Sequence, residues 1–200
     1  MSDIYTTTEN KKSSDNEILV RVLPTPNPNA IKFVVNRQLK NVGKATFTRP
    51  SEAYGVMLAE EIFHIDGVRQ LHFFENVVTV THAEDIDPEK LKAEVSAVIQ
   101  SRIVVHDPDF LTEEENKKVD RSALPPEIQQ IEEILDRTVR TYLQGDGGDI
   151  EVMAYHNHIL DLKYQGACGT CPSSSAGTLE AIHGILQEQF DPLIEINLIE

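Results

Sequence analysis

The sequence has no tryptophan, only two cysteines, and few cations for its size. Among 200 residues, 18 Lys and Arg stand against 33 Asp and Glu, a formal net charge of −15. Each shortage excludes something. A surface that acidic repels phosphate backbones and anionic lipid headgroups, which argues against nucleic acid and membrane surfaces as partners. No apolar run reaches the about 20 residues that span a bilayer. The opening stretch MSDIYTTTENKKSSDNE lacks the apolar core of a secretory signal. These absences set the expectation of a cytoplasmic chain, where thiols stay reduced. Two cysteines three positions apart, Cys168 and Cys171, cannot brace a chain of this length with disulfides. In a reducing compartment such a pair points to metal, cluster or redox chemistry. No phosphate-cradling glycine loop and no nucleophile–base pair is legible, so the chain reads as a non-enzyme.

What is present divides the chain into four segments. Residues 1–16 are rich in Ser, Thr, Asn and charge and read as a disordered tail. Residues 17–104 carry an alternation of strand and helix patterns that predicts ββαββα. Runs 17–23 and 30–35 are β-branched and joined by the stiff segment Pro24-Thr25-Pro26-Asn27-Pro28-Asn29. A helix is expected after Pro50, with Ser51 as N-cap, Glu52 in its first turn, and Val56, Ala59, Ile62 and Phe63 on its apolar side. Runs 68–74 and 77–81 predict a hairpin around Glu75-Asn76. Asp87-Pro88 then supplies a cap and a first helical residue for a helix bearing Leu91, Val95, Val98 and Ile99. Residues 105–125 are polar, charge-dense and end in two prolines, a linker composition.

Residues 126–200 predict αββαβ. An amphipathic helix places Ile128, Ile131, Leu135, Val139 and Tyr142 at spacings of three and four. Gly145-Asp146-Gly147-Gly148 ends it. Two alternating strands follow, turning near His156-Asn157, then the segment GACGTCPSSS, a helix with Leu179, Ile182, Leu186 and Phe190, and a last strand with Ile194, Ile196 and Leu198. The fold class is therefore α+β, two small sandwich-type α/β domains. Charge is uneven between them: residues 126–200 hold 13 acidic and 3 basic side chains, a net of −10, against 20 and 15, a net of −5, in residues 1–125.

The Cys-x-x-Cys spacing lets two thiolates grip one metal centre from a single tight turn. Gly166 and Gly169 permit unusual backbone angles and the approach of a bulky group. Pro172 suits a first helical position, which would put Cys171 at a helix N-terminus that favours anionic sulfur. Ser173, Ser174 and Ser175 could cap N–H groups or donate to cluster sulfurs. A cluster or a structural zinc wants four ligands, and one chain offers two. The natural closure is a symmetric homodimer that supplies Cys168 and Cys171 twice. A thioredoxin-like redox pair is the sharper rival, because Cys168-Gly169-Thr170-Cys171-Pro172 resembles that motif. A β-hairpin in front of it, and Ala167 where that family carries tryptophan, speak against it. A zinc-bridged interaction module using the same pair stays open.

Residues 127–200 closely resemble the NifU-like domain of Nfu-type iron–sulfur carriers. The matching residues are Tyr142-Leu143-Gln144, Asp146-Gly147-Gly148-Asp149 and Gln165-Gly166-Ala167-Cys168-Gly169-Thr170-Cys171-Pro172-Ser173-Ser174. Residues 21–104 resemble the Nfu N-terminal domain through Thr25-Pro26-Asn27-Pro28-Asn29-Ala30, Lys32-Phe33, Leu58-Ala59, Ile62-Phe63 and Ile65-Asp66-Gly67-Val68. Phe74 departs from a family glycine and Met57 from a family proline. The resemblance implies a [4Fe–4S] cluster, with [2Fe–2S] as the alternative, held by Cys168 and Cys171 across a homodimer. It also implies an upstream assembly scaffold as donor and apo iron–sulfur proteins as clients, with the first domain helping to recognise them.

Blander readings cover the other candidates. His156 and His158 could chelate a metal but suit a solvated turn. Asp146 and Asp149, flanked by glycines, read as turn and cap residues. The Pro-Asn-Pro-Asn segment reads as a rigid strand connection.

Overall fold

The computed structural model describes residues 17–112, 124–168 and 174–199. The first unit is a five-stranded antiparallel sheet in the order β1-β2-β5-β4-β3. Its strands are β1 (Val20–Pro24), β2 (Ala30–Val35), β3 (Lys44–Phe47), β4 (Val68–Phe74) and β5 (Val77–His82). Two helices, α1 (Met57–Phe63) and α2 (Pro88–Arg102), cover one face. Phe33, Phe47, Leu71, Phe73, Val78 and Val80 from the sheet meet Leu58, Ile62, Leu91, Val95 and Ile99 from the helices in one buried core. Each such side chain contributes about 1.5–3 kcal/mol on leaving water.

The sequence expectation of ββαββα misses β3. Lys44–Phe47 is four residues long and pairs across α1 with the next strand, β4, Lys44 opposite Phe74 and Phe47 opposite Leu71. The helix expected after Pro50 is also divided. Pro50–Ala53 forms a 3₁₀ turn, Gly55 takes a left-handed φ of 87°, and α1 starts only at Met57. Ser51 lies inside the 3₁₀ turn and is not a cap. Glu52 reaches back instead, accepting from the Thr48 N–H at 2.6 Å. The Asp87 cap forms as expected: its Oδ1 accepts from the Glu89 and Lys90 N–H groups. The departure at Phe74 is harmless, because the left-handed residue of the hairpin is Glu75 (φ 49°), whose carbonyl accepts from the Leu39 and Lys40 N–H groups.

The segment with linker composition begins with residues that pack on the first core. Phe110 stacks on Phe47 and meets Phe73 and His106 edge-on, and its carbonyl accepts from Lys40 Nζ at 2.7 Å. Polar composition alone hides one half-buried aromatic.

The second unit follows the expected αββαβ order. Helix α3 (Pro126–Leu135) passes through a π-helical turn at Asp136–Arg140 into α4 (Thr141–Gly145). Strands β6 (Gly148–His156) and β7 (Ile159–Gly166) form an antiparallel hairpin whose turn residues Asn157 and His158 both take positive φ. Helix α5 (Ser174–Gln189) crosses over to β8 (Glu195–Leu198), which pairs parallel with β7. Ile131, Ile134, Leu135, Ile150, Leu160, Leu162, Ile182, Leu186 and Ile194 form its core. Among the described residues no helix is long and apolar enough to cross a membrane.

Candidate functional site

The hairpin register sets the site. Gly148 at the start of β6 lies opposite Gly166 at the end of β7, so the Asp146–Asp149 turn and the Gln165–Cys168 segment run side by side. The Ala167 N–H donates to the Gly147 carbonyl at 3.0 Å. Gly147 (φ 81°) and Gly166 (φ 63°) both need left-handed backbone, which a side chain resists. At Gly148 the reason is space: a Cβ there would lie 2.2 Å from Cys168 Sγ and 3.0 Å from the Cys168 backbone nitrogen. The missing side chain of Gly148 is the room in which the Cys168 sulfur sits.

Cys168 is buried, 8% exposed, against the second core. Beside it the Tyr164 hydroxyl is buried with no hydrogen-bond partner among the described residues. Burial, and then the neighbouring Cys168, pushes that hydroxyl up to about 12. A thiolate sulfur with a left-handed glycine on one side and a glycine cradle on the other suits a soft metal centre. Cys171, with Gly169, Thr170, Pro172 and Ser173, lies outside the described residues, so the described part of the site is its first cysteine and the strands that hold it. Among the described residues no three His, Cys, Asp or Glu converge on a point that could hold a metal. His158 Nδ1 lies 2.6 Å from Asp191 Oδ2, which also accepts from the Tyr155 hydroxyl, so this histidine ties the hairpin to the end of α5.

The sequence reading of Asp149 as a turn residue is too modest. Its carboxylate is 1% exposed and lies 2.8 Å from Lys44 Nζ of the first unit. It accepts from the Ile150 N–H at 2.7 Å and from Gln144 Nε2 at 3.1 Å, and Arg140 Nε lies 3.5 Å away. Burial pushes this carboxyl up, but the Lys44 charge and these hydrogen bonds outweigh it and hold the group below the ordinary range. Arg140 in turn makes a bidentate pair with Glu132, at 2.7 and 3.0 Å, and a third contact with Asp136.

The first unit reaches the cysteine segment directly. Asn27 Nδ2 donates to the Ala167 carbonyl at 2.8 Å and Gln70 Nε2 to the Gly166 carbonyl at 2.9 Å. Lys32 Nζ donates to the Gly145 carbonyl. None of these partners is visible in sequence, because they lie 96 to 140 residues apart.

Comparison with known proteins places both units. Residues 20–105 match the family model described as "Scaffold protein Nfu/NifU N terminal", and residues 131–197 match "NifU-like domain". The chain is 32% identical over 174 residues to "NifU-like protein 4, mitochondrial" of Arabidopsis thaliana, covering 84% of this chain and 62% of that one. It is 30% identical over 171 residues to "NFU1 iron-sulfur cluster scaffold homolog, mitochondrial" of Homo sapiens, covering 85% and 67%. A solution structure of a NifU-like protein from Saccharomyces cerevisiae is 19% identical, with a TM-score of 0.44, over 56% of this chain and 99% of that one. The chain thus spans about 62% of the length of the first of these relatives.

The relatives' names correct the expectation of a cytoplasmic chain, for they point to mitochondria. The error has a physical reason. A missing apolar signal core excludes only secretion, and amphipathic transit segments carry no such core.

Proposed function

The chain belongs to the Nfu family of NifU-like proteins, and on that premise we propose that it carries an iron–sulfur cluster on Cys168 and Cys171 and hands it to apo client proteins. The observation that carries this reading is the placing of Cys168. It stands at the end of β7, in a glycine cradle, at the head of the segment leading into α5. A sulfur presented there, with a second cysteine three residues on, offers half of a four-thiolate site.

Two chains related by a two-fold axis complete that site, so cluster binding and dimer formation are one event. The cluster is cargo: it leaves when client thiolates replace those of the carrier at iron, with no substrate bond turned over. A [4Fe–4S] cluster suits four thiolates from two chains, and a dedicated assembly scaffold would act upstream as donor.

Anaerobic reconstitution with iron and sulfide tests this. The expected product is a dimer holding about four irons, given one [4Fe–4S] cluster on four thiolates. Cys168→Ala and Cys171→Ala should each abolish loading and leave a monomer in sedimentation. Variants that load like wild type would overturn the reading. Zinc without acid-labile sulfide in protein purified without oxygen would replace it with a zinc-bridged module.

A further inference from the structure

The seam between the two units raises a question that the cluster reading leaves open. In this structure the first unit sits on the segment that must meet a second copy. The open face of its sheet, the one not covered by α1 and α2, supplies Gln70, His72 and Thr79, and the loop before β2 supplies Asn27. Asn27 and Gln70 hold the carbonyls of the two residues that precede Cys168. His72 packs so close to Gly166 that a Cβ there would lie 3.0 Å from its ring, and Thr79 Oγ1 would lie 2.2 Å from a Cβ at Gly147. Lys44 closes the same seam on Asp149.

We infer that the first unit is a reversible clasp over the cysteine segment, and that it must swing away before two chains can share a cluster. The inference rests on the proposal that Cys168 is a ligand of a cluster shared between two chains. The first unit holds the Gly166 and Ala167 carbonyls, the two residues before Cys168, so a second subunit brought within a cluster's width of Cys168 would compete with it for that surface.

The seam has the makeup of a contact built to open. Asn27, Lys32 and Gln70 cross it with hydrogen bonds and Lys44 with an ion pair, and the two hydrophobic cores lie on either side of it. His72 Nε2 and Thr79 Oγ1 are buried with no hydrogen-bond partner among the described residues. Buried polar atoms left unsatisfied oppose docking and regain water on separation. The side-chain N–H groups of Asn27 and Gln70, by contrast, donate to the Ala167 and Gly166 carbonyls in the docked state and so favour it. The balance favours the clasp modestly, as a switchable contact requires.

Alkylation of Cys168 in the full apo chain reads the open population, because a buried thiol reacts through opening when closing is fast. Cysteine modification by iodoacetamide is followed at Cys168 by peptide mass spectrometry, at fixed pH. One hydrogen bond is worth roughly fivefold in such an equilibrium. The double variant Asn27→Ala, Gln70→Ala should therefore alkylate at Cys168 about twenty-five-fold faster than wild type and load its cluster faster. Lys44→Glu, which sets like charges together across the seam, should do the same without deleting either amide, and Lys44→Arg should behave like wild type. Cooperative thermal unfolding of each variant guards against simple misfolding. Unchanged Cys168 alkylation in folded variants overturns the clasp. So does small-angle scattering that shows the same separation of the units in apo-protein and in cluster-loaded dimer. Neither result touches the cluster reading, which stands or falls on Cys168→Ala and Cys171→Ala loading.

Discussion

At the scale of single residues, the fold changes the chemistry of His72 strongly. Burial, and then the Lys44 charge, lowers its imidazole from 6.5 to about 4, with Asp149 pulling the other way. Its Nδ1 lies 2.8 Å from Thr46 Oγ1. A histidine depressed in the folded state binds fewer protons than the unfolded chain between those two values. Stability is then fully present above about pH 6.5 and falls as pH drops toward 4, by about 3 kcal/mol for a shift of this size. Urea unfolding at pH 7, 5.5 and 4.5 should show that slope, and His72→Gln should flatten it. Asp149 acts in the same direction but lower: its depressed carboxyl keeps its contribution until pH falls below the ordinary carboxylate range. A His72→Gln profile as steep as wild type would sink the assignment.

At the scale of elements, the π-helical turn between α3 and α4 does what a regular helix could not. It aims Arg140 at Glu132, two turns earlier, while leaving it within reach of Asp136, Asp149 and the Ile150 carbonyl. Such wide turns often mark a place where geometry matters more than helix regularity. Here the helix is pinned to the first residues of β6, next to the cysteine cradle. Burial pulls the guanidinium down, but the Glu132 pair, Asp136 and Asp149 raise it beyond its ordinary value. Arg140→Met leaves buried carboxylates without their cation and should cost about 3–5 kcal/mol in urea unfolding, the range for breaking a buried pair. Arg140→Lys keeps the charge without the bidentate fork and should fall between wild type and Met. A loss under about 1 kcal/mol for Arg140→Met would show that the cluster of charges contributes little.

At the scale of the whole molecule, charge opposes assembly. Each chain carries −15, and −10 of that lies in residues 126–200, where the proposed dimer forms. Bringing two such surfaces together costs repulsion that salt screens over about 8–10 Å near physiological ionic strength. Raising salt from about 10 to 150 mM, a span over which the screening length shrinks roughly fourfold, should strengthen the cluster-loaded dimer in sedimentation equilibrium. A dimer weakened by salt would mean that opposite charges, not thiolates at a shared cluster, hold it together.

The sequence by itself determined what is local. Alternation in β6 and β7, the Asp87 cap before Pro88, the spacing of Ile131, Leu135 and Val139 and the glycine before Cys168, Gly166, are each read within a window of a few residues, and each stands in the fold, whereas Tyr142, read on the same apolar stripe, is 77% exposed and Gly169 lies outside the described residues. The misses were also local in cause. Lys44–Phe47 is too short to show its alternation and finds its strand partner at 71–74, and Phe110 is one half-buried ring in a polar run. What only the tertiary structure decided is long-range. It brought Lys44 to Asp149, Asn27 to Ala167 and Gln70 to Gly166, across 96 to 140 residues. Nothing in the pattern near Asn27 encodes Ala167, and nothing near Lys44 encodes Asp149, because a polar side chain looks alike whether it meets water or a partner from a distant strand. Only docking of one folded surface on another separates the two.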